Sequence, residues 1–308
     1  MFVDKKLVPG SELLSYALSN KIAIGAFNFA NTEVVQAIVS AANVLKTPII
    51  LQASPSAIAY LGTQYLKAIV SVAAEESEGP LALHLDHGQD FEICKRCIDE
   101  GFSSVMIDSS SLSFEENVRK TKAVVDYAKK FGVSVEAELG TLSGVEDGTS
   151  VLPGCSFYTN PDEALEFIER TGIDSLAVAV GTSHGSSKGK NGNAKISIER
   201  LREIRKKVGN FPLVLHGASS VYQDFVDVCN KYGANLKDTC GISDNDIREA
   251  IQNGVAKVNV DTDIRIAFLS AVRKVLSENT SLIDMRGYLS AAKDAAKEVV
   301  MRKIKTFL

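Results

Sequence analysis

The 308-residue chain predicts an α/β fold, a closed (β/α)8 TIM barrel with an extra C-terminal helix, and three observations carry that reading. Eight short runs rich in Val, Ile, Leu and Ala alternate with amphipathic stretches of helical length. The runs are apolar almost throughout, as parallel strands covered on both faces require. Each run also ends at or next to a polar or titratable residue, on the side where barrels of this type build their sites.

Taken in order, the first run is IAIGAFNF (22–29), ending near Asn28. It lacks the G-x-G-x-x-G of an open doubly wound sheet, and it lacks the H-x-H expected of a metal-dependent hydrolase on a barrel. PIILQAS (48–54) ends in Ser54, LALHLDH (81–87) in Asp86 and His87, and SSVMIDSS (103–110) near Asp108. VSVEAELG (133–140) carries Glu138, SLAVAVG (175–181) runs toward His184, PLVLHGAS (212–219) contains His216, and KVNVDTD (257–263) contains Asn259 and Asp261. The intervening segments, such as FEENVRKTKAVVDYAKKFG, open after Ser, Asn or Asp and close at Gly, as helices do. No low-complexity linker divides residues 1–308, so the chain reads as one domain.

Composition narrows the function. A formal charge of −4 with no Lys/Arg block argues against a nucleic-acid or membrane-surface partner. No apolar run approaches the roughly 18 residues of a membrane helix, and MFVDKKLVPG has no secretory apolar core, so a cytoplasmic location is expected. Five cysteines, an odd number, suggest free thiols rather than a disulfide framework. Cys94 and Cys97 form a C-x-x-C inside DFEICKRCIDEGF, which reads as an amphipathic helix that half-buries them.

The stretch LHLDHG (83–88) poses the central question. In a strand His84 and Asp86 share one face and His87 the other, so only at the frayed C-terminal edge can Asp86 and His87 reach one site. His84 is expected to be structural or to support a ligand from behind. His87, His184 and His216 end three different strands or begin their loops, so a closed barrel can bring them together. Three imidazoles with an open fourth position suit a catalytic zinc. GTSHGSSKGKNGNAK (181–195) and HGASS (216–220) are glycine- and serine-rich loops with the character of phosphate sites. A Schiff-base lysine is not evident: Lys257 falls at the expected start of the last strand, the wrong end of the barrel, and Lys188 lies in a loop.

LHLDHG, SSVMIDSS, VEAELGTLSGVEDG, AVGTSHG, PLVLHGASS and KVNVDTDIR, in this order from about residue 20 to 305, resemble the successive signatures of class II, zinc-dependent fructose-1,6-bisphosphate aldolases. The resemblance implies zinc ligands His87, His184 and His216, with Glu138 as an alternative ligand and Asp86 as the acid/base. It places Glu146 on a loop that closes over the site. Gly185, Lys188, Gly217, Ser219 and Thr262 would hold the 1-phosphate, with Asn259 on the ketose. Ser54, Arg265 and Arg286 of a neighbouring subunit would hold the aldehyde half and its 6-phosphate. The resemblance further implies a bound sodium or potassium ion and a homodimer or homotetramer. Where relatives often read DPR, this chain reads DMR (284–286). Asp261 bears on the sugar, because tagatose-specific relatives tend to carry Ala there; tagatose 1,6-bisphosphate is the alternative substrate. A non-catalytic metal-binding barrel is the alternative of another class.

Overall fold

The computed structural model describes residues 7–141, 144–146, 149–151, 158–183, 195–237 and 239–308. Eight parallel strands form the closed barrel: β1 Ile24–Asn28, β2 Ile49–Ala53, β3 Leu81–Gly88, β4 Ser104–Ile107, β5 Ser134–Leu139, β6 Ser175–Val178, β7 Leu213–Leu215 and β8 Val255–Val260. Each strand pairs with its neighbours in sequence, and β1 pairs with β8 from Ile24↔Lys257 to Phe27↔Val260 to close the ring. All eight expected strands are present. Most are shorter than their apolar runs, because the polar residues at their C-terminal ends have left the ladder for the loops. β8 starts earlier than expected, at Val255, so Lys257 is an interior residue of the strand rather than its first. A two-stranded hairpin, Gly144–Glu146 with Thr149–Val151, was not anticipated.

The helices form as their caps dictate. Asn31 accepts from Val34 N to open Thr32–Leu45, Asp90 from Ile93 N to open Phe91–Asp99, and Ser113 from Glu116 N to open Phe114–Ala128. Their apolar faces, with the outward side chains of the strands, make one continuous core around the barrel, including Phe27, Ile38, Leu51, Leu83, Phe102 and Phe167. At the N-terminal end of the barrel the helix Gly10–Asn20 sets Leu13, Leu14 and Ala17 against Ile24, Ile50 and Ala82, plugging that mouth. The helix Met285–Phe307, the expected C-terminal addition, packs on Thr32–Leu45 and Thr262–Glu278 and buries Val299, Val300, Ile304 and Phe307. Among the described residues no single helix is long and apolar enough to cross a membrane; the adjacent helices Pro55–Leu61 and Thr63–Glu76 are apolar together but bent by 97°.

Candidate active site

The end of β3 resolves how adjacent residues can face one centre. His87 has φ +50°, in the left-handed region, and the β3–β4 register shifts between Leu85 and Gly88. The local twist turns His87 toward the side that Asp86 already faces, and His87 Nε2 lies 4.0 Å from Asp86 Oδ1. Gly88 makes the bulge possible, since a Cβ there would meet Met106 O at 2.5 Å.

Asp86 is buried and held by amides from three other strands. Its Oδ2 accepts from Asn28 Nδ2 at 2.8 Å and Gln52 Nε2 at 3.3 Å, and its Oδ1 from Asn259 Nδ2 at 3.0 Å. Gln52 Nε2 also donates to Asn28 Oδ1 at 2.6 Å. The cradle is made of neutral donors, so it orients the carboxylate without adding a fixed charge. Gln52 Oε1 and Asn259 Oδ1 stay buried with no hydrogen-bond partner among the described residues, leaving acceptor capacity beside the acid group.

Around Asp86 stand the metal-type donors. Ligand atoms of Asp86, His87 and His216 all lie within 4.8 Å of one another, as do those of His87, Asp108 and Glu138. His87 Nδ1 lies 2.9 Å from Asp108 Oδ2, the kind of carboxylate contact that orients a ligating imidazole. Burial alone would raise the pKa of Asp108, but the His87 contact and the hydrogen bonds from Ser110 hold it well below the usual range. His216 bridges two glutamates, with Nδ1 3.0 Å from Glu138 Oε2 and Nε2 2.9 Å from Glu136 Oε1. Burial opposes its charge, yet the two carboxylates prevail and push its pKa to about 9. A ligating imidazole nitrogen must carry no proton, so these two carboxylate contacts compete with metal binding at His216. Two imidazoles and three carboxylates converging from β3, β4, β5 and β7 are a donor set that fits zinc.

A second polar layer lies beneath. Lys257 is buried, donating to Glu136 Oε2 at 2.9 Å and Oε1 at 3.1 Å, with His84 Nε2 at 3.3 Å and Ser104 Oγ at 2.7 Å from His84 Nδ1. Burial and then the Lys257 charge keep His84 neutral, far below its ordinary pKa. Burial disfavours charge on Glu136, but Lys257 and His216 hold its pKa well down. The expectation that Lys257 stands at the wrong end is corrected: it points into the barrel, because it shares the inward face of β8 with Asn259. It is not presented as a Schiff-base amine, since both oxygens of Glu136 and His84 Nε2 engage its Nζ inside the barrel. His84 is structural, as expected, and reaches His216 through Lys257 and Glu136. Gln52 and Glu136 escaped the sequence reading and Lys257 was misplaced by it; the signal was a polar side chain inside an apolar run, two residues before a polar residue on the same face.

The other expected residues divide. Ser54, Asp261 and Arg265 line one cleft of about 400 Å³ with Asn28, Phe29 and Phe268. Ser54 caps Pro55–Leu61, and Arg265 Nε donates to Asp261 Oδ1 at 2.7 Å, one helical turn away. Asp261 sits at the N-cap position of Thr262–Glu278, where its backbone carbonyl accepts from Ile264 N and Arg265 N while its side chain makes no cap bond. Gly217 has φ +60°, and a Cβ there would meet Ser183 O at 2.6 Å; Ser219 is buried in the same loop. Arg286 is 85% exposed and forks onto Asp284. His184, Gly185 and Lys188 lie outside the described residues; Glu146 belongs to the hairpin, and only its backbone is described.

These features define a (β/α)8 barrel with a histidine–carboxylate centre at the C-terminal ends of its strands. The family described as fructose-bisphosphate aldolase class-II matches residues 8–308. The chain belongs to that family. It is 46% identical over 301 residues to the fructose-bisphosphate aldolase of Thermus caldophilus, covering 98% of each chain. It is 46% identical over 298 residues to that of Giardia intestinalis, covering 96% of this chain and 91% of the relative. The YdjI aldolase of Escherichia coli K12 superposes with TM-score 0.77 at 31% identity, covering 98% and 97% of the two chains.

Proposed function

We propose that the chain catalyses reversible cleavage of fructose 1,6-bisphosphate to dihydroxyacetone phosphate and glyceraldehyde 3-phosphate, with Asp86 as the acid/base. The family and its named relatives support this lyase reaction over cleavage of the tagatose epimer. The observation that carries the residue assignment is Asp86 in its three-amide cradle, beside the donor cluster it forms with His87 and His216.

His87 and His216, with His184, would hold the zinc on which class II aldolases generally depend, and Glu138 offers an alternative ligand. When bound, the metal supplies a Lewis acid that stabilises negative charge developing at the ketose oxygens. Asp86 takes the proton of the C4 hydroxyl. As the C3–C4 bond breaks, its electron pair moves toward the C2 carbonyl and the aldehyde half departs. Asn28, Gln52 and Asn259 keep the carboxylate aimed throughout, and the open acceptors on Gln52 and Asn259 suit sugar hydroxyls. Gly185, Lys188, Gly217, Ser219 and Thr262 are assigned to the 1-phosphate. Ser54, Arg265 and Arg286 of a neighbouring subunit are assigned to the far phosphate, which implies a homodimer or homotetramer. Glu146 on the hairpin is assigned as a second acid/base. A sodium or potassium ion near the first-phosphate loops completes the reading, with the reaction in the cytoplasm.

The test is a cleavage assay with and without a chelator. Chelation should abolish activity and zinc should restore it, whereas borohydride added with substrate should leave the enzyme active. Asp86→Ala should retain zinc while kcat falls by about 10²- to 10⁴-fold, the usual worth of a positioned acid/base. Normal turnover by the metal-stripped enzyme or by the variant would overturn the reading.

A further inference from the structure

The loop after β7, residues 216–221, is fastened from behind by two side chains that the proposed chemistry does not use. Asp263, immediately after Thr262, gives both carboxylate oxygens to consecutive backbone amides. Its Oδ2 accepts from Ser220 N at 2.9 Å and its Oδ1 from Val221 N at 2.6 Å. Lys303, reaching in from the C-terminal helix, is fully buried. Its Nζ donates to Ser220 Oγ at 2.7 Å and Ala218 O at 3.5 Å, and lies 3.4 Å from Asp263 Oδ2. A third side is closed by Gly241, where a Cβ would meet the Ser220 carbonyl carbon at 2.2 Å, and by Ile242 N, which donates to Ser219 O at 3.0 Å.

The backbone held this way is not one the sequence would choose. Val221 has φ +49°, costly for a β-branched residue, and such a conformation persists only where its surroundings over-determine it. A buried ion pair is also a poor way to gain stability, since an apolar pair of similar volume often does as well. What this pair achieves is geometry: it ties the β7 loop, which carries Gly217 and Ser219, to the end of β8, which carries Asn259, Asp261 and Thr262.

We propose that Asp263 and Lys303 are positioning residues for the phosphate end of the substrate, holding residues 216–221 in the shape that presents Gly217 and Ser219 to the anion. This rests on the assignment of Gly217 and Ser219 to the 1-phosphate made above. Asp263 and Lys303 touch no reacting atom; they act through the loop.

The experiment measures the Kd of the zinc-loaded, full-length enzyme for dihydroxyacetone phosphate by calorimetry, together with zinc content and melting temperature. The variants are Lys303→Met, the double variant Asp263→Asn/Lys303→Met, and Ser219→Ala. Lys303→Met strands a buried carboxylate and should melt early. The double variant removes both charges at nearly constant volume but leaves one of the two backbone amides without an acceptor, so its melting temperature should recover above that of Lys303→Met while its Kd stays about 10- to 100-fold weaker than the parent's, the scale of a misplaced binding group. Recovery of parent affinity along with stability would make the pair merely structural and overturn the proposal. If Ser219→Ala binds like the parent, the phosphate-loop assignment itself fails, and the proposal with it; weakened binding in that variant alone would sink only the brace. Hydrogen exchange in the unmodified enzyme provides a check that needs no variant. The amides of Ser220 and Val221 should exchange about as slowly as global unfolding allows, and fast exchange would equally overturn the proposal.

Discussion

Asp261 and Lys257 are two charged side chains of the last strand and its loop, one at a cleft and one inside the barrel. Asp261 lines the cleft beside Ser54 and pairs with Arg265, its side chain making no helix-cap bond, and the role proposed for its carboxylate is to accept from a substrate hydroxyl. A hydrogen bond to a charged group is worth roughly 1.5–3 kcal/mol, and fructose and tagatose bisphosphates differ only at C4. Asp261→Ala should therefore erode the preference for the fructose sugar by about ten- to a hundredfold in the ratio of kcat/KM values; an unchanged ratio would remove Asp261 from specificity. Lys257 supports the site from within. Removing its ammonium leaves Glu136 charged and buried beside His216, a change that typically costs about 3–5 kcal/mol. Lys257→Met should lower the melting temperature markedly and weaken zinc retention; a variant as stable as the parent would show that the interior layer tolerates an apolar substitute.

Strand β3 and the helix after it divide labour between chemistry and packing. The strand ends in a bulge that turns His87 inward, while Phe91–Asp99 presents Cys94 and Cys97 to the core, both buried. Burial pushes the Cys97 thiol up to about 12 and Cys94 higher still, so neither forms a thiolate at neutral pH. The C-x-x-C is thus a packing element, as its amphipathic setting suggested. Iodoacetamide at pH 8 should modify these two residues only as fast as the region unfolds, which mass spectrometry against denaturant concentration would read; rapid labelling in the native enzyme would contradict the buried, neutral assignment.

Across the molecule the apolar core lies between barrel and helices, because much of the barrel's interior is given over to Gln52, His84, Asp86, Glu136, Glu138, Lys257 and Asn259. Packing outside the barrel must therefore supply much of the hydrophobic stabilisation. The C-terminal helix is part of that shell: Phe307 is buried against it and its carbonyl accepts from Ala23 N at 3.0 Å, just before β1. Phe307→Ala should cost about 3–5 kcal/mol in denaturant unfolding, with the zinc site intact in the surviving folded fraction. A cost near zero would mean that the helix end is not part of the cooperative core.

Local pattern alone was enough for the eight strands, the closed fold, the terminal helix and the alignment of Ser54, Asp86, His87, Glu138, His216 and Asn259 at strand ends, because periodicity and turn residues are properties of neighbouring positions. It was also enough to set His84 apart from His87. Tertiary structure decided the rest. Whether Asp86 and His87 could share a site depended on a positive φ at His87 that no pattern of residue types announces. The roles of Glu136 and Lys257 became legible only when the closed ring brought non-adjacent strands β3, β5 and β8 across its interior, since a strand pattern says which face a side chain takes and not what it meets there. The Asp263–Lys303 brace joins residues forty positions apart through a helix outside the barrel, and only the folded packing could place that ammonium beside a loop of the site.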